Sequence, residues 1–347
     1  MCGIVGYVGS RDAENVLLHG LRKLEYRGYD SAGVCTIRPD GRLEITKAAG
    51  RIDILAAKLA ESPAPGKIGI GHTRWATHGP ATDENAHPHI GGNDLLAVVH
   101  NGVIENYRSL KQRLESEGYC FRSSTDTEVI AHLIASCLEN QLLAQAHQGP
   151  SAAEDHALFV TALEQALDQL QGAYGLAVVF QGAPDVVLAA RRGSPLVVGV
   201  GDGEHFLASD ASPLVGYTDK IVYLSDHEVA VVTANSLRVI HREQGPVQHR
   251  VKVLDVEAHH SDRGKFAHYM LKEIFEQPES LENTMRGRLD EHAATAHFGG
   301  LNLSPQQLRR VSRILMTACG TSWHASLVGE YIIEELARLP VDVEYAS

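Results

Sequence analysis

Cys2 is singled out by its position more than by its type. Loss of the initiator Met1 would leave it carrying both a thiol and a free α-amine. An α-amine has a reference pKa near ~8, against ~10.4 for a lysine amine, so at pH 7 it is partly neutral and can accept a proton. A nucleophile with its own base one bond away is a solution to activating a weak thiol. The amine, directly or through one water, would take the thiol proton as sulfur attacks a carbonyl. Gly3 leaves room beside the sulfur, and Ile4-Val5 begin a buried strand that fixes its position. The plain alternative is a retained Met1 and an ordinary second residue, so the rest of the chain must decide.

Three further stretches carry chemistry. Ile68 to Gly79 reads as a strand running out into a polar loop, and Arg74 at that exit can grip a carboxylate with two parallel N–H bonds. Its bland reading is a surface arginine with a solvated head. His100-Asn101-Gly102 ends a buried strand. Asn-Gly is normally a hairpin signal, but a helical pattern follows here instead of a returning strand. The Asn101 amide and the Gly102 backbone N–H then form a candidate donor pair for an oxyanion, worth roughly 3 kcal/mol per donor. The bland reading is a strand-to-helix turn. Asp126 sits in the first turn of a helix, where the dipole favours an acid by about 0.5 kcal/mol. The same dipole would keep it ionised to hold an ammonium group. Together these parts describe a site for an amino acid with a side-chain carbonyl. Glutamine fits, hydrolysed through a thioester with release of ammonia. Spacing alone does not bring the parts together in space.

Bulk properties narrow the class. The chain has 347 residues, enough for two domains or for one large domain with an extension. A net charge of −12 sets nucleic acid and anionic membranes aside as bulk partners. No apolar run reaches the ~18 residues of a membrane span, and no secretory signal opens the chain. The 5 cysteines are scattered and odd in number, which suits a reduced cytoplasm better than a disulfide framework. His87, His89 and the pair His259-His260 lack companions at zinc-site spacing, so no metal is expected.

The elements that must position these residues follow from periodicity. A strand is expected at 2–9 and a helix at 12–24, with Val16, Leu17, Leu21 and Leu24 on one face. A hairpin flanks Pro39-Asp40-Gly41, a short helix spans 51–60, and strands run from Lys67 to His72 and from Leu95 to His100. A helix follows at 103–117. Thr125 and Glu128 have capping-box spacing at the start of the next one. Residues 143–156 look like a surface insertion before a helix at 157–171. From Ala173 to Ile240 short strands alternate with turns, an antiparallel pattern. Residues 2–240 thus read as α+β, with sheets stacked face to face under helices. A polar linker with connecting helices covers 241–308. One βαβ unit covers 309–347, with Cys319 to Ser322 as its small-residue turn and a helix at 323–338. A lone βαβ unit cannot cover both faces of its sheet, so the chain reads as a truncated piece of a longer protein.

These residues resemble the class II glutamine amidotransferases, N-terminal-nucleophile (Ntn) hydrolases. The resemblance rests on Cys2 to Gly6, Leu24 to Gly33, His72 to Gly79, Asn85 to His89, His100 to Gly102, Thr125 to Glu128, Arg192 to Leu196, Ala208 to Asp210 and the region from Lys272 to Pro278. Cys2-Gly3-Ile4 alone would be shared with other branches. Thr73 to Gly79 and Glu25 to Asp30 point to the aminosugar branch, and Ala318 to Ser322 resembles the opening of a sugar isomerase (SIS) domain. The resemblance implies a four-layer αββα sandwich followed by an incomplete α/β piece. It implies Cys2 as nucleophile and Asn101 with Gly102 as oxyanion hole. Arg74 would hold the glutamine carboxylate with Thr77 and His78, and Asp126 the amine. Arg27 would be supporting, Trp75 would gate an ammonia channel, and Thr321 and Ser322 would be part of a sugar-phosphate site. Small hydroxyl residues at a strand end before a helix suit a phosphate physically as well. It implies no cofactor, L-glutamine as donor, and fructose 6-phosphate and a homodimer for the full-length enzyme. The remaining sugar-site residues of that branch would lie beyond Ser347, so this chain is expected to hydrolyse glutamine without making the sugar. Two rivals remain: another enzyme of the class, such as an amidophosphoribosyltransferase, and a catalytically silent regulatory module.

Overall fold

Every residue of β1 (Gly3–Val8) is buried, and its alternation explains why. Ile4 and Val8 enter one apolar layer, while Val5 and Tyr7 enter another. A strand with two apolar faces needs a layer on each side of it. The computed structural model describes residues 2–76, 79–148, 156–247, 249, 251–253, 264–285, 289–290, 295–296 and 304–346.

After β1 come α1 (Ala13–Leu24), β2 (Ser31–Ile37), β3 (Leu43–Ala49), α2 (Ile52–Glu61) and β4 (Ile68–Arg74). Next are β5 (His89–Gly91) and β6 (Leu96–Ile104), then α3 (Tyr107–Ser116), α4 (Asp126–Gln148) and α5 (Ala157–Leu167). The strand-rich run follows as β7 (Gly172–Phe180), β8 (Ala183–Arg192), β9 (Val197–Val200), β10 (His205–Ala208), β11 (Lys220–Tyr223), β12 (Glu228–Thr233), β13 (Leu237–His241), β14 (Gly245–Val247) and β15 (Lys252–Val253). Eight strands form one sheet in the order β15-β11-β9-β10-β1-β4-β2-β3, and seven form the other in the order β14-β13-β12-β8-β7-β6-β5.

Three apolar layers hold this together. Ile4, Ile70, Val198 and Leu207 of the first sheet meet Val99, Val179, Val187 and Val232 of the second. Leu17, Leu21 and Leu24 of α1 and Leu55 and Leu59 of α2 cover the first sheet's other face. Leu110 and Leu114 of α3, Val129 to Leu138 of α4 and Leu163 of α5 cover the second sheet. Each fully buried leucine contributes roughly 2 kcal/mol. The result is the expected αββα sandwich. Asp12 caps α1 by accepting from the Glu14 amide at 3.2 Å.

Several features differ from the sequence reading. β6 does not stop at His100. It runs through Asn101-Gly102 to Ile104, paired along its length with β7, and α3 starts only at Tyr107. Gly102 makes this possible: its φ of +141° suits glycine, and a Cβ there would lie 2.0 Å from the Ala173 carbonyl oxygen. Residues 143–148 prolong α4 rather than forming an insertion; 149–155 lie outside the described residues. The Glu128 amide donates to the Thr125 hydroxyl at 3.4 Å, yet the Glu128 carboxylate turns to the Arg122 and Ser123 amides instead of closing the box. Finally, the first compact unit runs to Gly264, past the boundary expected at 240, because β14 and β15 extend the two sheets.

The second compact unit, Lys265–Ser347, contains α6 (Tyr269–Met285), the short pair β16 (Leu289–Asp290) and β17 (Thr295–Ala296), α7 (Pro305–Leu308) and a βαβ unit. In that unit β18 (Ile314–Ala318) and β19 (Val341–Tyr345) pair in parallel through α8 (Gly320–Ala337). The helix begins three residues earlier than expected, at Gly320, so Thr321 and Ser322 sit in its first turn. No helix among the described residues is long and apolar enough to cross a membrane.

Candidate active site

Sheet register brings the ends of the chemistry-bearing stretches together. β1 pairs with β4 so that Gly3 lies opposite Thr73. Cys2, one residue before β1, therefore meets the exit of β4. The Trp75 amide donates to Cys2 Sγ at 3.2 Å. Gly3 is required by crowding: a Cβ there would come within 2.7 Å of both the Leu24 Cβ and the Thr73 hydroxyl. Ser209 pins the neighbouring residue, accepting from the Ile4 amide on its hydroxyl and donating its own amide to the Ile4 carbonyl.

Burial raises the pKa of the Cys2 thiol above its ordinary value, and the nearby Asp30 carboxylate raises it further. The Trp75 amide and Arg74 pull the other way without prevailing. The thiol is thus not ionised at rest and needs a base.

Asn101 reaches the same place from the second sheet. Its Nδ2 donates to the Cys2 carbonyl at 3.2 Å. An amide nitrogen has two hydrogens, so the other is available to a substrate. On the far side, Asn101 Oδ1 lies 2.9 Å from His72 Nε2. Gly102 follows on β6.

Arg74 is buried at the end of β4. Its two terminal nitrogens donate to the carbonyls of Pro80 and Gly79 at 3.1 and 3.3 Å, so the guanidinium sits under the loop it leads into. Asp30 steadies that loop, accepting from the Ala76 amide and donating its own amide to the Arg74 carbonyl. Thr77 and His78 lie outside the described residues. Asp126, buried at the start of α4, accepts from the Ile104 amide at 2.9 Å. Ile104 is three residues beyond Asn101 on β6, roughly 10 Å along the strand. Arg27 bonds Asp210 at 3.1 Å, and Trp75 is exposed, edge-on to Tyr29 at 5.5 Å. Thr321 and Ser322 belong to the other compact unit, exposed on the first turn of α8.

The sequence reading assigned no role to His72, Asp30 or Ser209. Each acts on a partner far away in the chain, so local pattern gave no signal. A cluster of buried histidines lies behind the site. The His72 and His87 rings stack at 4.1 Å, and His87 and His89 meet edge-on at 4.9 Å. His89 and His100 bond the hydroxyls of Thr125 and Thr127, which flank Asp126. Burial holds His72 neutral, its pKa pushed down to about 3, and lowers His87 and His89 well below the ordinary histidine value.

Two sheets under two helical layers, with a cysteine leading into the central strand, define a class. Residues 72–216 match the family model described as a glutamine amidotransferase domain. These residues carry a glutamine amidotransferase domain. It is 48% identical, over its whole length, to glutamine–fructose-6-phosphate aminotransferase (isomerizing) of Chlorobaculum tepidum, and 46% identical to a Thermus thermophilus protein of that name. The chain spans about half the length of these curated relatives, 55% and 54% respectively. Among solved structures, glutamine phosphoribosylpyrophosphate amidotransferase from B. subtilis shares the fold over 99% of this chain and 65% of its own, with a TM-score of 0.60 at 20% identity.

Proposed function

We propose that the chain hydrolyses the side-chain amide of L-glutamine at Cys2, with Met1 removed. The observation that carries this reading is the Asn101 amide bonded to the Cys2 carbonyl, beside a buried arginine at the end of the adjoining strand. The freed α-amine takes the thiol proton while sulfur attacks the amide carbon. The C=O electrons become an oxyanion, met by the second Asn101 N–H and by the Gly102 amide. As the oxyanion collapses, the amine returns its proton to the leaving nitrogen and ammonia departs, leaving a thioester. Water, deprotonated by the same amine, then releases glutamate. In this reading Arg74 holds the substrate carboxylate with Thr77 and His78, and Asp126 holds its ammonium. Arg27, paired with Asp210, supports the nucleophile's surroundings, and Trp75 gates the exit of ammonia.

The names of the relatives support a further step. In a longer, homodimeric cytoplasmic protein the ammonia would convert fructose 6-phosphate to glucosamine 6-phosphate. The βαβ unit would then open an SIS domain, with Thr321 and Ser322 part of its sugar-phosphate site. An amidophosphoribosyltransferase reading is weaker, because its support is likeness of fold at 20% identity. The test is direct. The purified chain, given glutamine and no acceptor, is expected to release glutamate and ammonia in equal amounts. A folded chain free of Met1 that releases neither would support a silent regulatory module instead.

A further inference from the structure

We propose that His72 is the positioning residue of the oxyanion site: its Nε2–H fixes which way round the Asn101 carboxamide sits, and so keeps an amide N–H aimed at the reacting carbonyl. Its catalytic consequence rests on the glutamine hydrolysis proposed above.

A carboxamide is nearly symmetric in shape, so packing does little to choose between its two orientations; hydrogen bonding must. The Cys2 carbonyl can only accept, so the atom facing it must be Nδ2, at 3.2 Å. The atom facing His72 is then Oδ1, which also only accepts, so His72 Nε2 at 2.9 Å must carry the hydrogen. The His100 backbone lies near the His72 ring, yet His72 Nδ1 is buried with no well-aligned hydrogen-bond partner among the described residues. That suits a bare ring nitrogen and not a protonated one, since a buried unpaired N–H is costly. If the amide turned over, its oxygen would face the Cys2 carbonyl and the developing oxyanion alike.

The fold makes His72 a firm support. On β4 it pairs with Ile4, and it shares the inward face of the first sheet with that residue. On β6 the inward residues Ala97 and Val99 lead to Asn101 by alternation. The bond therefore bridges the two sheets just behind the nucleophile. The ring is wholly buried and stacked on His87 with an interplanar angle of 18°, so it cannot swing away. Burial also keeps it neutral, which holds a single hydrogen on the ring throughout the working pH range.

The experiment combines tautomer and kinetics. ¹⁵N-histidine NMR of the whole chain is expected to report a neutral ring protonated at Nε2 for His72; a ring protonated at Nδ1 would overturn the proposal. His72→Leu is expected to lower kcat for glutamine about 100-fold, the usual loss for one oxyanion donor, with KM changed less than about threefold. Affinity for the aldehyde analogue of glutamine, whose adduct with the thiol places an oxygen in the oxyanion site, should fall by the same factor. Alkylation of Cys2 by iodoacetamide, which needs no oxyanion site, should be unchanged. His72→Gln restores an N–H and should recover most of kcat. A folded His72→Leu that keeps its aldehyde affinity would overturn the proposal. If that variant does not fold, His72→Gln and the wild-type tautomer still decide. A wild-type chain that never releases ammonia would defeat the glutaminase reading, while the tautomer would still test the His72–Asn101 arrangement.

Discussion

Cys2→Ala is expected to lower ammonia release from glutamine by a factor on the order of 10⁴ or more, the scale seen when a covalent nucleophile is removed. The size follows from what remains. Asn101, Gly102 and Arg74 can still hold a glutamine, but no atom is left to form the thioester. Attack would fall to an unpositioned water. The fold should be indifferent. Cys2 precedes β1, and among the described residues its sulfur bonds only the Trp75 backbone. The melting temperature should therefore move by no more than about 2 °C. Glutaminase activity and a thermal melt of the same preparation check both halves. Activity retained in Cys2→Ala would remove the nucleophile from the account.

Acid should destabilise this domain steeply, and the buried histidines set the sign. His72, His87 and His89 have folded-state pKa values pushed below the ordinary 6.5 by burial. Unfolding exposes them, so below about pH 6.5 the unfolded chain binds protons that the folded chain refuses. The stability they contribute is therefore fully present above pH 6.5 and is lost as pH falls below it. Each such group removes about 1.4 kcal/mol per pH unit, so three remove roughly 4 kcal/mol between pH 7.5 and 5.5. Against a typical total of about 5–15 kcal/mol this is a large share. Urea unfolding at the two pH values measures it. Equal stability at both would contradict the burial of the cluster, and a folded His87→Gln variant should show about a third less acid loss.

The parts of the fold with clean alternation were legible in the sequence. β1, β4 and the strands from β7 to β13 bury alternate residues in different layers, and α1 carries its leucines on one face. What local pattern missed has a common cause. Asn101-Gly102 has the composition of a turn, yet the pairing with β7 draws it straight, with glycine filling a conformation a side chain could not. Glu128 had the right spacing for a capping box, but its carboxylate found better donors upstream. Thr321 and Ser322 belong to a run of small residues, Cys319 to Ser322, whose composition suits a turn as well as the first turn of a helix. In the candidate site the residue types were readable one at a time. Their meeting was not, because it depends on cross-strand register between Gly3 and Thr73 and on the approach of the second sheet. His72 shows the limit most plainly: it lies beside the Thr73-Arg74 motif, and its importance rests on a hydrogen bond to a residue on another sheet.

The central claim is that the terminal nitrogen of Cys2 unloads its own sulfur. The measurement that tests it most directly is glutaminase activity of two preparations matched in every other way, one with Cys2 confirmed by intact mass as the first residue, the other blocked by a single residue kept ahead of it. The account predicts ammonia release from the first and at most a trace from the second. Equal turnover by both would contradict it.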